Sequence, residues 1–230
     1  MIYNKGKLIV LEGGDGSGKA TQARLLKNNL ESCGVVSAFE FPRYKQSTFG
    51  ELIGKSLAGE FGDFLHLSPY LASLPYVLDR ARAKYLLLES LKDGNVVCDR
   101  YTPSNLAFQA AKLPKKEREK FINFIEKAEY EELGLPAPDL VIYLEVPVEV
   151  SANLILKKQQ RSYLSVNRKK DQHEKDVGYQ KEVVGVYHQL AKKRKNWHIV
   201  KCVEKGKLLP IERIQMKIIN IIKKELNLSK

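Results

Sequence analysis

The chain has 230 residues, of which 43% are hydrophobic, so it can bury one substantial core, and we expect a single domain spanning residues 1–230. Its apolar runs are much shorter than the roughly 20 residues of a membrane-spanning helix, and residues 1–5 lack the apolar stretch of a signal peptide. Three cysteines, an odd number without CxxC spacing, favour structural thiols over disulfides, and we expect a cytoplasmic protein that does not enter a membrane.

Five short segments rich in β-branched residues alternate with helical patterns along the chain. Strands are predicted at residues 8–11, 35–41, 96–98, 140–146 and 198–202. Helices are predicted at residues 19–32, 69–91, 115–133, 174–195 and 210–226. Strands that alternate with helices of this length form a mostly parallel sheet covered on both faces, so we predict an α/β fold.

Two segments fit neither pattern. Residues 41–49 begin just past the end of a predicted strand, which is where open α/β sheets bind ligands. Residues 157–175 are dense in Lys, Arg and Gln and have almost no apolar face, so they are predicted to form a flexible, basic lid. Both segments are candidates for function.

All of the excess positive charge lies in the C-terminal third. Residues 1–156 hold 19 Lys and Arg against 20 Asp and Glu, whereas residues 157–230 hold 20 against 7. Such a block can be the footprint of a nucleic acid. We favour a solvated face together with a phosphate-handling lid, because charge alone reports on association and not on fold.

The clearest motif lies between the first predicted strand and the first predicted helix. GxxxxGK spacing places Gly13, Gly18 and Lys19 in a P-loop, whose backbone N–H groups converge on phosphate oxygens while the lysine neutralises charge between the β- and γ-phosphates. Ala20 stands where Ser or Thr normally binds Mg²⁺, and Thr21 is one position late, so metal ligands are expected elsewhere or mainly from the nucleotide phosphates. The predicted ATP-binding residues are Gly13, Gly14, Asp15, Gly16, Ser17, Gly18, Lys19, Ala20 and Thr21.

A second polar pair, Asp99 and Arg100, follows a buried apolar strand. The pair can be a structural ion pair. Its strand is predicted to run parallel to the one before the P-loop, which favours a functional role because both carboxyl ends then meet at one edge of the sheet. Arg100 can bind a phosphate through two N–H groups, and Asp99 can hold metal-bound water or orient the arginine.

Five signatures, in this order along the chain, resemble those of the thymidylate kinase family, whose members phosphorylate dTMP. They are Glu12-Gly13-Gly14-Asp15-Gly16-Ser17-Gly18-Lys19, Phe41-Pro42-Arg43-Tyr44, Leu78-Asp79-Arg80-Ala81, Asp99-Arg100-Tyr101 with Ser104-Asn105, and Leu133-Gly134-Leu135-Pro136-Ala137-Pro138-Asp139. The resemblance covers about residues 7–190. It implies a P-loop NTPase fold with a five-stranded parallel sheet flanked by helices, a mobile basic lid and a homodimer.

The resemblance also implies an acceptor site. Tyr76 matches the aromatic that stacks on thymine, and Arg80 matches the donor to the pyrimidine carbonyl; an i,i+4 pair shares one helix face and can grip one base. Asp15 matches a carboxylate that approaches both the acceptor nucleotide and its metal. The other residues implied around the base, sugar and acceptor phosphate are Phe41, Arg43, Tyr44, Arg100, Asn105, Phe108 and His173.

Within the lid, residues 171–174 resemble a segment that in one bacterial subgroup reads Asp-x-Tyr-Glu, with His173 in place of the tyrosine. The metal candidates are then Asp15, Asp99, Asp171 and Glu174. Some family members carry a catalytic arginine where this P-loop has Gly16, so the resemblance moves that arginine to the lid, at Arg161 or Arg168. The implied catalytic cations are Lys19, Arg100, Arg161 and Arg168, and the motifs do not choose between the two lid arginines.

Together these features predict Mg²⁺-dependent transfer of the γ-phosphate of ATP to dTMP. Two alternatives stay open. The first is a kinase that phosphorylates another deoxynucleoside monophosphate or a deoxynucleoside, because His173 alters the base side of the site. The other is a nucleic-acid-binding protein that uses the basic C-terminal third, with a P-loop degraded at Ala20, although we do not expect nucleic acid as a partner.

Overall fold

The computed structural model describes residues 6–151 and 176–226. The predicted lid, residues 157–175, lies outside this part of the chain, and so do Arg161, Arg168, Asp171, His173 and Glu174. Among the described residues, no helix has both the length and the apolar character needed to cross a bilayer.

A five-stranded parallel sheet forms the centre, as predicted. Its strands are β1 (Leu8–Gly13), β2 (Val36–Glu40), β3 (Asn95–Asp99), β4 (Leu140–Glu145) and β5 (Trp197–Lys201), in the spatial order β2-β3-β1-β4-β5. Every residue of β1 is buried, as expected for a central parallel strand covered on both faces. From β1 the chain first builds one side of the sheet and later the other, so a crevice opens at the carboxyl ends of β1 and β3.

Helices cover both faces of this sheet. Within the described residues they are α1 (Lys19–Glu31), α2 (Thr48–Ala58), α3 (Pro69–Asp93), α4 (Thr102–Ala110), α5 (Lys115–Glu126), a π-helical turn (Lys127–Glu132), α6 (Val177–Lys193) and α7 (Ile211–Leu226). On one face α1 and α7 pack through residues such as Leu26 and Ile218. On the other, α3, α4, α5 and α6 contribute Leu87, Phe121 and Val186, among others. A short hairpin, β6 (Val203–Glu204) and β7 (Lys207–Leu208), precedes α7.

The strand and helix predictions are confirmed with small changes at their ends. Strands predicted at 35–41 and 140–146 are shorter, and the helix predicted at 115–133 ends at Glu126 and continues as the π-helical turn. The described part of the helix predicted at 174–195 begins at Val177 and ends at Lys193.

Two helices, α2 and α4, are missing from the sequence-based prediction. The segment 41–49, predicted to be irregular, in fact leads into α2 at Thr48. Gly50 lowers the helix propensity of α2, yet a Cβ there would lie 2.2 Å from the Arg43 carbonyl oxygen, so close packing explains the glycine. Every residue of α4 except Ser104 is buried, and the helix therefore lacks the polar face on which a period of 3.6 residues depends.

Candidate active site

The P-loop joins the buried strand β1 to α1. Gly18 caps α1 with φ 87°, and Gly13 has φ 158°, both in the region that L side chains rarely adopt. A Cβ on Gly13 would also lie 2.9 Å from the Leu144 carbonyl oxygen on β4. The two glycines therefore let backbone, rather than side chains, line the turn at the N-terminus of α1, where partial positive charge favours anions.

Lys19 is the cation of this turn. Its Nζ donates to the Gly14 carbonyl oxygen at 2.8 Å and lies 3.4 Å from Ser17 Oγ, and the residue is only 7% exposed. Burial and the nearby positive charge of Arg100 lower the pKa of Lys19 to about 7, against the attraction of Asp99 and Asp15. A phosphate in the crevice would supply the negative charge that this ammonium group favours.

Arg100 lies opposite Lys19, directly after β3. It has φ 64°, uncommon for a non-glycine residue and costing of order 1 kcal/mol, as is typical of residues held at functional sites. Its Nη2 donates to Asp15 Oδ1 at 2.6 Å, its Nη1 donates to Ser104 Oγ at 3.0 Å, and its guanidinium carbon lies 5.0 Å from the Phe108 ring centre. Burial would lower the pKa of Arg100, but Asp15 and other neighbouring acidic groups raise it above its ordinary value. The guanidinium thus remains charged and fixed in direction.

Beneath Arg100, the fully buried Glu12 ends a hydrogen-bond network. One of its carboxylate oxygens accepts from the backbone N–H groups of Tyr101 (3.0 Å) and Ser104 (3.1 Å). The other accepts from Ser104 Oγ (2.6 Å) and Tyr187 OH (2.8 Å). Burial raises the pKa of Glu12 above its ordinary value, although Arg100 and the hydroxyl groups of Ser104 and Tyr187 act in the opposite direction. Because all four partners donate, the ionised carboxylate suits this site, and it links β1 to α4 and α6.

We expect Tyr187→Phe to lower the free energy of unfolding by about 1.5–3 kcal/mol, because it removes a donor to a buried charged group. Tyr179→Phe, on the same helix, removes a donor to the neutral Phe108 carbonyl oxygen and should cost about 1 kcal/mol. Urea denaturation of both variants measures the difference. Equal losses would contradict an ionised Glu12.

A cavity of about 310 Å³ opens above the P-loop. Predicted site residues from four parts of the chain meet in its wall. They are Asp15, Gly16, Gly18, Lys19, Ala20, Phe41, Tyr44, Tyr76, Arg80, Asp99, Arg100, Asn105 and Phe108. The wall also includes residues that carry no role in the sequence-based prediction, among them Glu40, Tyr101, Ser104 and Gln109.

One end of the cavity is built by α3 and α4. Tyr76 and Arg80 come from α3, and Asn105, Phe108 and Gln109 come from one face of α4 at i, i+3 and i+4 spacing. Both side-chain amide atoms of Gln109 are buried and have no hydrogen-bond partner among the described residues. A ligand in the cavity with paired donor and acceptor groups, such as the edge of a pyrimidine, would satisfy this amide.

Among the predicted acceptor residues that the structure describes, Arg43 differs from the rest because it does not line the cavity. Its Nε lies 3.3 Å from Gln46 Oε1, and its backbone N–H donates to Asp79 Oδ2 at 2.8 Å. Asp79 is buried and also accepts a short hydrogen bond from Ser47 Oγ, which caps α2. Asp79 therefore fixes the loop that carries Arg43 and Tyr44.

Carboxylates that could meet a metal ion lie at the phosphate end. Asp15 and Asp99 line the cavity, and Glu40 faces Asp99 across the β2–β3 pair. Partial burial and the charge of Asp99 raise the pKa of Glu40. Over residues 6–151 and 176–226, no cluster of three or more Asp, Glu, His and Cys side chains is positioned to hold a metal ion. One or two carboxylates suffice for Mg²⁺ when nucleotide phosphates and waters complete its shell.

The sequence-based prediction misses the roles of Glu12, Asp79 and Gln109. Signals for the first two existed, since Glu12 begins the P-loop signature and Asp79 directly precedes Arg80. Gln109 follows Phe108 and could have been found from the face it shares with Asn105, had α4 been predicted. His173 and the other lid residues, named above, lie outside the described part of the chain.

Comparison with known proteins points to one family. A family model described as thymidylate kinase matches residues 11–210. The thymidylate kinase of Mycobacterium tuberculosis is 34% identical over 186 residues, which cover 80% of this chain and 85% of that protein. A probable thymidylate kinase of Pyrococcus abyssi is 32% identical over 228 residues, covering 96% of this chain and 98% of that protein.

The fold also has a close counterpart among solved structures. The thymidylate kinase of Candida albicans matches with a TM-score of 0.74 at 23% identity, over 98% of this chain and 94% of that chain. The predicted α/β architecture, a five-stranded parallel sheet flanked by helices in a P-loop NTPase-like fold, is therefore confirmed.

Proposed function

The chain belongs to the thymidylate kinase family, and from this premise we propose that it transfers the γ-phosphate of ATP to dTMP, giving dTDP and ADP. The observation that carries the proposal is that one cavity of about 310 Å³ is lined both by the P-loop with Arg100 and by Tyr76, Arg80 and Asn105. Phosphates and a nucleobase can therefore be bound together, which is what in-line transfer between two nucleotides requires.

At the phosphate end, the protein supplies cations in fixed positions. The P-loop backbone and Lys19 bind the β- and γ-phosphates of ATP, while Arg100, held by Asp15 and Ser104, binds the acceptor phosphate. Positive charge on both sides of the migrating phosphoryl group stabilises its transition state, in which negative charge is spread over the equatorial oxygens. A lid arginine, Arg161 or Arg168, would complete this set.

The base end selects the acceptor. Tyr76 offers a ring for stacking, Arg80 offers donors to a carbonyl oxygen, and Gln109 offers one donor and one acceptor. Phe108, in contact with the Arg100 guanidinium and with Tyr187, crowds the sugar between the two ends and favours a deoxyribose. Asn105 adds a further amide beside the base, and Phe41 and Tyr44 close the wall toward α2.

Mg²⁺ fits the phosphate end. It would neutralise part of the phosphate charge of ATP, with Asp15 and Asp99 as the described carboxylates that could hold it, directly or through water. Asp171 and Glu174 remain candidates from the lid. This arrangement does not need a hydroxyl at Ala20.

Steady-state rates with ATP and a panel of acceptors test the proposal. We expect dTMP to give the highest kcat/KM among dTMP, dUMP, dCMP, dGMP and thymidine, with slow ATP hydrolysis when no acceptor is present. Equal or better turnover of a non-thymidine acceptor would overturn the specificity. Absence of phosphoryl transfer to every acceptor would overturn the proposed kinase activity. The comparisons favour neither that outcome nor a nucleic-acid-binding role.

We further propose that two copies of the chain associate through α3, and that the dimer works in the cytoplasm. Leu71, Leu74, Leu78 and Tyr85 are all exposed and lie on one face of α3, at i, i+3, i+7 and i+14. An apolar stripe of this kind suits an isologous interface with the same helix of a second copy.

Leu74→Glu should convert the dimer to monomers, because it places a charge from each copy within the apolar stripe that the two copies would bury. Analytical ultracentrifugation at micromolar concentration measures the change. Met216→Glu, at an exposed apolar residue of α7, is the matched control and should leave the dimer intact. A monomeric wild-type protein, or a dimer unaffected by Leu74→Glu, would contradict the proposed interface.

A further inference from the structure

Glu129 is a fully buried carboxylate next to the base end of the cavity. It lies on the π-helical turn that follows α5, a type of local distortion that is frequent at functional sites. Two hydrogen bonds of 2.6 Å join it to Arg80, from Nε to Oε2 and from Nη2 to Oε1. Burying such a pair costs desolvation that apolar residues of similar volume would avoid, so stability alone is a weak reason for it.

The ion pair fixes the direction of Arg80. Because Nε and Nη2 bind Glu129, one edge of the planar guanidinium is occupied, and Nη1 with its two N–H donors lies at the other end of the group. Arg80 also lines the cavity. A guanidinium group has donors only, so it complements the carbonyl oxygen of a thymine or uracil ring and opposes the exocyclic amine of cytosine.

Glu129 also orders the opposite wall of the pocket. Its Oε2 accepts from Thr102 Oγ1 at 2.8 Å, and its Oε1 lies 3.5 Å from Asn105 Nδ2. A carboxylate only accepts, so the Asn105 amide nitrogen faces Glu129, and Asn105 Oδ1 is buried without a hydrogen-bond partner among the described residues. Glu129 thereby orients a donor group on α3 and, together with the Ser73 carbonyl oxygen at 3.5 Å from Asn105 Nδ2, an acceptor group on α4.

We propose that Glu129 is a positioning residue for base specificity. It holds Arg80 and Asn105 so that the pocket presents donors to a base carbonyl, and it neutralises the charge of Arg80 where the base binds. It contacts neither the base nor the phosphates itself. The inference rests on the proposed function, because it presupposes that this end of the cavity binds a pyrimidine.

Glu129→Gln tests this role. The amide keeps the shape of the side chain but has only one acceptor oxygen. It can accept from either Nε or Nη2 of Arg80, and its NH₂ group then faces the other of these two donors. We expect KM for dTMP to rise at least about tenfold and the preference for dTMP over dCMP in kcat/KM to fall about tenfold. We expect kcat and KM for ATP to change by less than about twofold, because the phosphate end keeps its contacts.

Inhibition by 2-deoxyribose 5-phosphate, which has no base, separates positioning from general damage. Its inhibition constant should be the same for wild type and Glu129→Gln. Glu182→Gln is the matched control, because Glu182 Oε2 accepts from Arg118 Nη2 at 2.6 Å outside the cavity. This control should leave KM for dTMP and the acceptor preference unchanged.

The inference is overturned if folded Glu129→Gln keeps the wild-type KM and preference, or if it loses affinity for ATP and 2-deoxyribose 5-phosphate as well. Should Glu129→Gln fail to fold, Glu129→Asp carries the test, since it retains the charge at a shorter reach and should give an intermediate loss of preference. Absence of dTMP phosphorylation by the wild type would overturn the proposed function itself, which distinguishes the two failures.

Discussion

Lys19→Met is expected to lower kcat by about 10³-fold or more while the affinity for dTMP changes little. The substitution keeps an unbranched side chain of similar length and removes the ammonium group, which lies against the Gly14 carbonyl oxygen at the N-terminus of α1. Because negative charge on the migrating phosphoryl group is redistributed in the transition state, a fixed cation there affects the rate more than ground-state binding. Steady-state kinetics give kcat, and calorimetry with dTMP gives the acceptor affinity.

Lys27→Met is the control for this substitution. Lys27 lies on the same helix, two turns after Lys19, and forms an ion pair with Glu31 at the surface. It should keep wild-type kcat and lose at most about 0.5 kcal/mol of stability. A Lys19→Met enzyme that retains its kcat, or that loses dTMP affinity in proportion to its rate, would contradict the role assigned to Lys19.

The sheet and the phosphate-binding turn were predictable because both depend on local patterns. The central strands β1, β3 and β4 are short runs of mostly buried apolar residues, and Gly13, Gly16 and Gly18 stand where the P-loop backbone has positive φ. The order of the strands did not follow from these patterns, because alternating strands and helices are compatible with several parallel arrangements. Local rules thus predicted the strands, most of the helices and the phosphate end of the site.

The base end depends on contacts between residues far apart in sequence, and local patterns do not encode them. Glu129 meets Arg80 from 49 positions away, and the helix that carries Gln109 has no polar face to reveal it. At Gly50, the local pattern argues against a helix that the structure contains. The glycine lowers the helix propensity of α2, but it is needed because a larger side chain would collide with the Arg43 backbone. Specificity was therefore harder to predict than phosphate binding, because it is set by tertiary packing.

Arg100→Lys is expected to lower kcat/KM for dTMP by about 10²-fold, through both a higher KM and a lower kcat. Lysine keeps the positive charge, but its three N–H donors lie on one nitrogen, so it cannot reproduce contacts that Arg100 makes from two separate nitrogens, Nη2 to Asp15 and Nη1 to Ser104. Asp15 would then lose the 2.6 Å contact from Arg100 Nη2, and Ser104, which donates to Glu12, would lose the contact from Arg100 Nη1. Steady-state kinetics with dTMP varied at saturating ATP measure the effect.

Arg118→Lys is the control. It shows what the same substitution does to a buried arginine that lies outside the cavity. Arg118 is also buried and also donates twice, to the Leu113 carbonyl oxygen at 3.0 Å and to Glu182 at 2.6 Å, but it lies outside the cavity. Its replacement should reduce stability by about 1–3 kcal/mol and leave KM for dTMP unchanged. If Arg100→Lys likewise lost only stability, a positive charge alone would be sufficient for activity at this position. A selective loss of kcat/KM would instead require the fork geometry, because both variants keep the charge.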